Sequence, residues 1–76
     1  MMSKFYVIST KTCKFCEEAY NLLEQEDLDF TIVYLEDDPC MRTLLQMADL
    51  NTVPQIFKPD GEHLGGYADL KVLIGR

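Results

Sequence analysis

The chain has no tryptophan, a single histidine, three cysteines, three prolines and four glycines in 76 residues. Each scarcity excludes something. Three cysteines are too sparse for a small secreted scaffold stapled by disulfides. Few Gly and Pro, with 47% hydrophobic residues, argue against a disordered or low-complexity chain. Long apolar runs are missing: Phe5–Ile8 and Ile32–Leu35 fall far short of the roughly 20 residues that span a bilayer. The start, Met1-Met2-Ser3-Lys4, has no charged stretch followed by a long apolar one, so no signal peptide is expected. Cations are also scarce, seven against thirteen acids, for a net charge of −6. A domain this acidic is a poor partner for nucleic acid, whose phosphates need Lys and Arg. The expectation is one domain over residues 1–76, with no membrane and no nucleic acid. The default compartment is the cytoplasm, where thiols stay reduced. A domain this small buries only about 60% of its unfolded surface, so its core is thin.

What is present has a clear order. Phe5-Tyr6-Val7-Ile8 reads as a buried strand. Over residues 14–26 the period changes: Cys16, Ala19, Tyr20 and Leu23 recur at helical spacing, widened by Phe15 and Leu22, with acids and amides opposite. Thr12 or Cys13 is the expected N-cap. Phe30–Leu35 is apolar on both faces, as in a central or parallel strand. Asp38-Pro39 starts a second helix, with Met41, Leu44, Leu45 and Ala48 as its apolar face. Pro54–Lys58 and His63-Leu64 make a hairpin about a Pro59-Asp60-Gly61 turn, and residues 67–74 a last helix stopped by Gly75. The order β-α-β-α-β-β-α predicts an α/β fold, a mixed sheet of four strands with helices on both faces.

The chemistry-bearing feature is Cys13-Lys14-Phe15-Cys16 at the junction of the first strand and first helix. Cysteines three apart in a first helical turn lie about 5–6 Å apart at Cα, within disulfide reach. A helix N-terminus favours the thiolate of Cys13 through free N–H groups and the dipole. Local charge adds to this, since residues 1–16 hold Lys4, Lys11 and Lys14 and no acid, while residues 24–38 hold seven acids and no cation. Cys13 is therefore the exposed nucleophile and Cys16 the partner that attacks a disulfide already formed on Cys13. The bland reading is a pair of core cysteines. A zinc site has only Cys13, Cys16, Cys40 and His63 to draw on, without a second paired motif, so no metal is expected. Cys40 reads as a bystander thiol and His63 as a surface residue of the hairpin. Tyr20 and Tyr34 read as core aromatics. Val53-Pro54, on residue statistics alone, reads as a trans bond at a strand start.

Together, Thr10–Cys16, Thr52-Val53-Pro54-Gln55-Ile56-Phe57 and Gly65-Gly66-Tyr67-Ala68-Asp69-Leu70 make the chain resemble a glutaredoxin over nearly its whole length. The resemblance implies a thioredoxin fold with Pro54 cis beside Cys13, and a glutathione groove. Cys13 would be the nucleophile and Cys16 the resolving thiol. Lys11 would face the glycyl carboxylate of glutathione. Thr52 and Val53 would bind the tripeptide through the loop before Pro54. Gly66, Ala68 and Asp69 would surround its γ-glutamyl end, and Phe15 keeps the ring of a position where the family usually has Tyr. Lys14 stands where the commonest family motif has Pro, and Arg42 is available for the cation that the family often carries early in the second helix. The implied activity is reduction of protein disulfides and glutathione mixed disulfides, with glutathione as co-substrate and disulfide-bonded or glutathionylated proteins as partners. Ribonucleotide reductase is one such client by resemblance, and a monomer is the default. Two rival readings stand beside this one: a thioredoxin-like redoxin served by a flavoprotein reductase, and a dimer binding an iron–sulfur cluster.

Overall fold

In a computed structural model, residues 4–75 are described; the expectation about the leader, resting on Met1–Ser3, lies outside them. The chain runs β1 (Phe5–Ser9), α1 (Lys14–Gln25), β2 (Phe30–Tyr34), a 3-10 turn (Leu35–Asp37), α2 (Pro39–Met47), β3 (Gln55–Phe57), β4 (His63–Gly65) and α3 (Tyr67–Ile74). The sheet order is β2-β1-β3-β4. β1 pairs parallel with β2, as the crossover through α1 requires, and antiparallel with β3, which pairs antiparallel with β4. This is the expected order of elements and the expected mixed sheet of the thioredoxin-like glutaredoxin fold.

The sheet is covered on both faces by unequal layers. On one, Val7, Ala19, Leu23, Ile56 and Leu70 are fully buried, joined by Phe5 and Leu22, where α1 and α3 pack on the sheet. On the other, only Ile8, Leu35 and Leu45 are buried together, under α2. The α2 face differs from expectation for this reason: Leu45 alone is buried along the helix, while Leu44 is half exposed and Ala48 lies in solvent. A nine-residue helix crossing a four-stranded sheet covers too little of it to hide a full stripe. β2 also departs from the central position its composition suggests. It is parallel but lies at the sheet edge, and all five of its residues are half-buried. β1, flanked on both sides, is the strand with the deepest burial.

Local signals explain the ends that matter for the site. The Cys13 side chain is the N-cap of α1, accepting from the Cys16 N–H, a role more often filled by Ser or Asp. Asp38 caps α2 by accepting from Met41 N–H at 3.1 Å, with Pro39 at the first helical position. The Val53–Pro54 bond is cis. That overturns the trans bond inferred from X-Pro frequencies and agrees with the expectation carried by the glutaredoxin resemblance. Frequencies describe the average Pro environment, whereas here a buried Pro54 ends a loop that must turn toward Cys13.

Candidate active site

Three chain segments converge at the C-terminal end of β1. The first carries the thiols. Cys13 is partly accessible and Cys16 is fully buried, and neither is in a disulfide. The Cys16 backbone N–H donates to Cys13 Sγ at 3.2 Å. A donor aimed at sulfur from the first turn of a helix stabilises negative charge there. In the thiol form Cys13 Sγ–H donates in turn to the Val53 carbonyl, at 3.7 Å. Cys16 is the opposite case. Burial, then the Cys13 side chain bonded to it, push its thiol up to about 12. One cysteine is thus partly accessible with a backbone N–H aimed at its sulfur, while the other is held as a neutral thiol beneath it.

The second and third segments form a groove of about 280 Å³ lined by Phe15, Thr52, Val53, Pro54, Gly66, Tyr67, Ala68 and Asp69. Phe15 is 60% exposed. It lies off the buried stripe of α1 and stands 6.2 Å from the Tyr67 ring, so the two aromatics form one rim. The far end is the start of α3, whose first N–H groups have no carbonyl partner within the helix, a setting suited to a carboxylate. The Asp69 carboxylate already accepts from Gly66 N–H at 3.0 Å, which locks this turn. Gly65, at φ +128°, is required there: a Cβ would collide with the Asp69 carboxylate, and no other side chain adopts this φ readily. A smaller hollow of about 130 Å³ continues past Thr52 and Val53 on the α2 side, lined among others by Leu35, Arg42 and Gln46.

The expected residues Phe15, Thr52, Val53, Pro54, Gly66, Ala68 and Asp69 therefore share one groove, with Cys13 tied to it through Val53. Lys11 does not line either hollow. Its Nζ pairs with Asp37 at 3.2 Å and sits 5.8 Å from the centre of the Tyr34 ring, and its backbone N–H donates to Glu36 at 2.9 Å. That N–H holds the Glu36 carboxyl below its ordinary range. The basic character of the first sixteen residues is thus offset at Lys11 by acids twenty-five and twenty-six positions later.

Three groups escaped the sequence reading. Tyr67 lines the groove. Gln55, only 5% exposed, donates through Nε2 to the Thr52 carbonyl at 2.8 Å and to the Thr52 hydroxyl at 3.3 Å. With Nε2 so used, its Oε1 is the acceptor for His63 Nε2–H at 2.7 Å. His63 is exposed, as expected of the hairpin, yet it anchors the amide that holds the Thr52–Pro54 loop. The only sequence signal was a polar Gln within the apolar Ile56-Phe57 run. Tyr34 does not join the core but lies under Lys11, while Tyr20 packs on the core, bonds Ser9, and is pushed up to about 12, chiefly by burial. Among the described residues no group of three His, Cys, Asp or Glu is placed to hold a metal ion, and no helix is long and apolar enough to cross a membrane.

Comparison with known proteins points the same way. The glutaredoxin family model matches residues 5–64. Glutaredoxin 3 of Escherichia coli (strain K12) is 30% identical over 76 residues, covering 99% of this chain and 90% of its own length. A buckwheat glutaredoxin solved as its glutathione complex superposes with a TM-score of 0.75 at 27% identity, over 93% of this chain and 69% of that one. A dithiolic glutaredoxin of Trypanosoma brucei brucei superposes with a TM-score of 0.79 at 32% identity, over 96% of this chain and 78% of that one.

Proposed function

The chain belongs to the glutaredoxin family, a glutathione-dependent thiol–disulfide oxidoreductase, and from that premise we propose how its own residues divide the work. The Cys13 thiolate attacks the glutathione sulfur of a protein mixed disulfide. The old S–S bond breaks, the protein leaves as its thiolate and takes up a proton, and Cys13 carries glutathione. A glutathione thiolate from solution attacks the glutathione sulfur of that adduct, releasing the Cys13 thiolate and oxidised glutathione, so each turnover consumes one glutathione thiol and exchanges one disulfide for another. On a protein disulfide, Cys13 forms the mixed disulfide and Cys16 resolves it. Glutathione then reduces the Cys13–Cys16 bond.

The observation that carries this reading is Cys13 at the N-cap of α1, its sulfur bonded to the Cys16 N–H and to the loop that lines the groove. The groove suits a tripeptide with charge at both ends. Gly66, Ala68 and Asp69 take the γ-glutamyl amine and carboxylate, the Asp69 carboxylate facing the amine. Thr52 and Val53 pair with the cysteinyl backbone beside cis Pro54, and Phe15 with Tyr67 covers the apolar middle. Lys11 and Arg42 serve the glycyl carboxylate. Disulfide-bonded or glutathionylated proteins are the clients, ribonucleotide reductase among them, served by a cytoplasmic monomer. Support for the clients is the partly accessible position of Cys13 and the family's chemistry, and support for the compartment is the low cysteine count of the chain.

The test is a mass measurement. The Cys16→Ser protein, exposed to oxidised glutathione, gains one glutathione, and peptide mapping places it on Cys13. An unmodified protein, or an adduct on Cys40 instead, refutes the assignment.

A further inference from the structure

Lys11 lies two residues before the nucleophile, yet it is held away from the groove at three points. Its backbone N–H is bonded to Glu36, and its ammonium is paired with Asp37 and lies over the Tyr34 ring. Both partners of the Lys11–Asp37 pair are more than half exposed, at 53% and 62%. An exposed pair of this kind is weak and exchangeable, worth no more than about a fivefold bias in an equilibrium. It does not block Lys11; it sets a competition. A carboxylate arriving from a ligand must displace one that is already there. The acidic turn begins at Leu35, which lines the hollow next to Thr52 and Val53, so the two carboxylates would contend for the same ammonium from adjoining positions.

We propose that Asp37 is a specificity residue, an internal competitor for Lys11 that weakens this protein's preference for a free C-terminal carboxylate on its tripeptide thiol by removing the Lys11 share and leaving that of Arg42. The proposal rests on the glutathione groove assigned above and deepens it. The substrate class then extends to disulfides of tripeptide thiols whose glycyl end is amidated or esterified. Specificity concentrates at the other end, where Asp69 and the start of α3 form a turn locked by the Gly66 N–H bond and bordered by a glycine that no larger residue replaces. Like-charge repulsion works in the same direction, since Glu36 and Asp37 both contact Lys11 and would repel a further carboxylate brought to it.

The experiment uses the full chain carrying Cys16→Ser, which isolates the attack of Cys13. The probes are the mixed disulfide of glutathione with 2-mercaptoethanol and the same compound with its glycyl carboxylate as the ethyl ester. The readout is the ratio of second-order rate constants, free acid over ester, at low and high salt. Asp37→Asn is expected to raise this ratio by about two- to fivefold, the size of an exposed ion pair. That gain shrinks at high salt. An unchanged or lower ratio in Asp37→Asn overturns the proposal, a lower one meaning that Asp37 positions Lys11 for the ligand. Adding Lys11→Gln separates the two levels of inference. If Lys11→Gln lowers the ratio while Asp37→Asn leaves it unmoved, the competition fails and the groove assignment stands. If Lys11→Gln has no effect in the Asp37→Asn background, Lys11 does not meet the glycyl carboxylate, and both the proposal and the role given to Lys11 above fall, while glutathione capture by Cys13 is judged by the mass measurement.

Discussion

Raising the pH should destabilise this protein by an amount that Cys16 dictates. Its thiol titrates at 9.0 in an ordinary environment and at about 12 in the fold, burial being the largest cause. The folded value is the higher one, so the fold prefers the neutral thiol. The resulting stability is fully present below pH 9 and is lost as the pH climbs toward 12. Linkage gives a loss of roughly 1–2 kcal/mol at pH 10 and roughly 2–3 kcal/mol at pH 11 from this one group. A chain of this length has roughly 4–11 kcal/mol in all, so the effect is a large share of the total. The assay is urea unfolding followed by far-ultraviolet circular dichroism at pH 8, 9, 10 and 11, under reductant, for the natural chain and for Cys16→Ala. Other groups also titrate in this range, and taking the difference between the two proteins removes them. The two curves should converge by the stated amounts as pH rises, with equal slopes in urea. Parallel curves from pH 8 to pH 11 would show that Cys16 ionises freely in the fold, contradicting the account of a thiol held neutral beneath Cys13.

Further expectations concern the walls of the site and the core. Gly65→Ala forces a Cβ into the Asp69 carboxylate at a φ of +128°. It should cost about 1–3 kcal/mol and weaken glutathione binding together, read as a lower thermal midpoint and a higher KM. An unchanged KM would separate the turn from the groove. Gln55→Leu removes the donor that holds Thr52 and the acceptor for His63 while keeping the buried volume. KM for glutathione-containing substrates should rise severalfold with stability within about 1–2 kcal/mol of the parent, and an unmoved KM would count against a positioning role for Gln55. Leu23→Ala, at a fully buried position in the larger cluster, should cost about 2–5 kcal/mol by chemical denaturation, enough to leave the fold marginal. A cost under 1 kcal/mol would mean that this layer repacks.

The elements were legible because each used a strong local signal. The switch from a short, wholly apolar run in Phe5–Ile8 to period 3.6 after Cys13 needs no tertiary knowledge, and Asp38-Pro39 declares a helix start by its chemistry. What stayed hidden depended on distant partners. Nothing near Lys11 reveals that Asp37 will neutralise it, because parallel pairing of β1 with β2 is what brings the two together. The role of Gln55 is equally invisible, since its partners lie three residues before it and eight after it, across a hairpin. The edge position of β2 could not be read from its composition. An apolar strand on a thinly covered edge looks the same in sequence as one at the centre of a sheet. The cis bond at Pro54 was accessible only through the family resemblance, because it reflects the requirement of the whole loop and leaves no mark on the dipeptide.

The unequal layers on the two faces of the sheet have a mechanical consequence. Seven buried residues hold α1 and α3, and three hold α2. The thiols and the Gly66–Asp69 turn are mounted on the first layer, whereas Arg42, Gln46 and the hollow they line belong to the second. The two halves of the site therefore differ in how many buried contacts hold them. Val53 packs against the thinner layer, so the loop before Pro54 is where the two layers meet. A substitution that loosens α2 should be felt at Thr52 and Val53 before it reaches Cys13 or the Gly66–Asp69 turn.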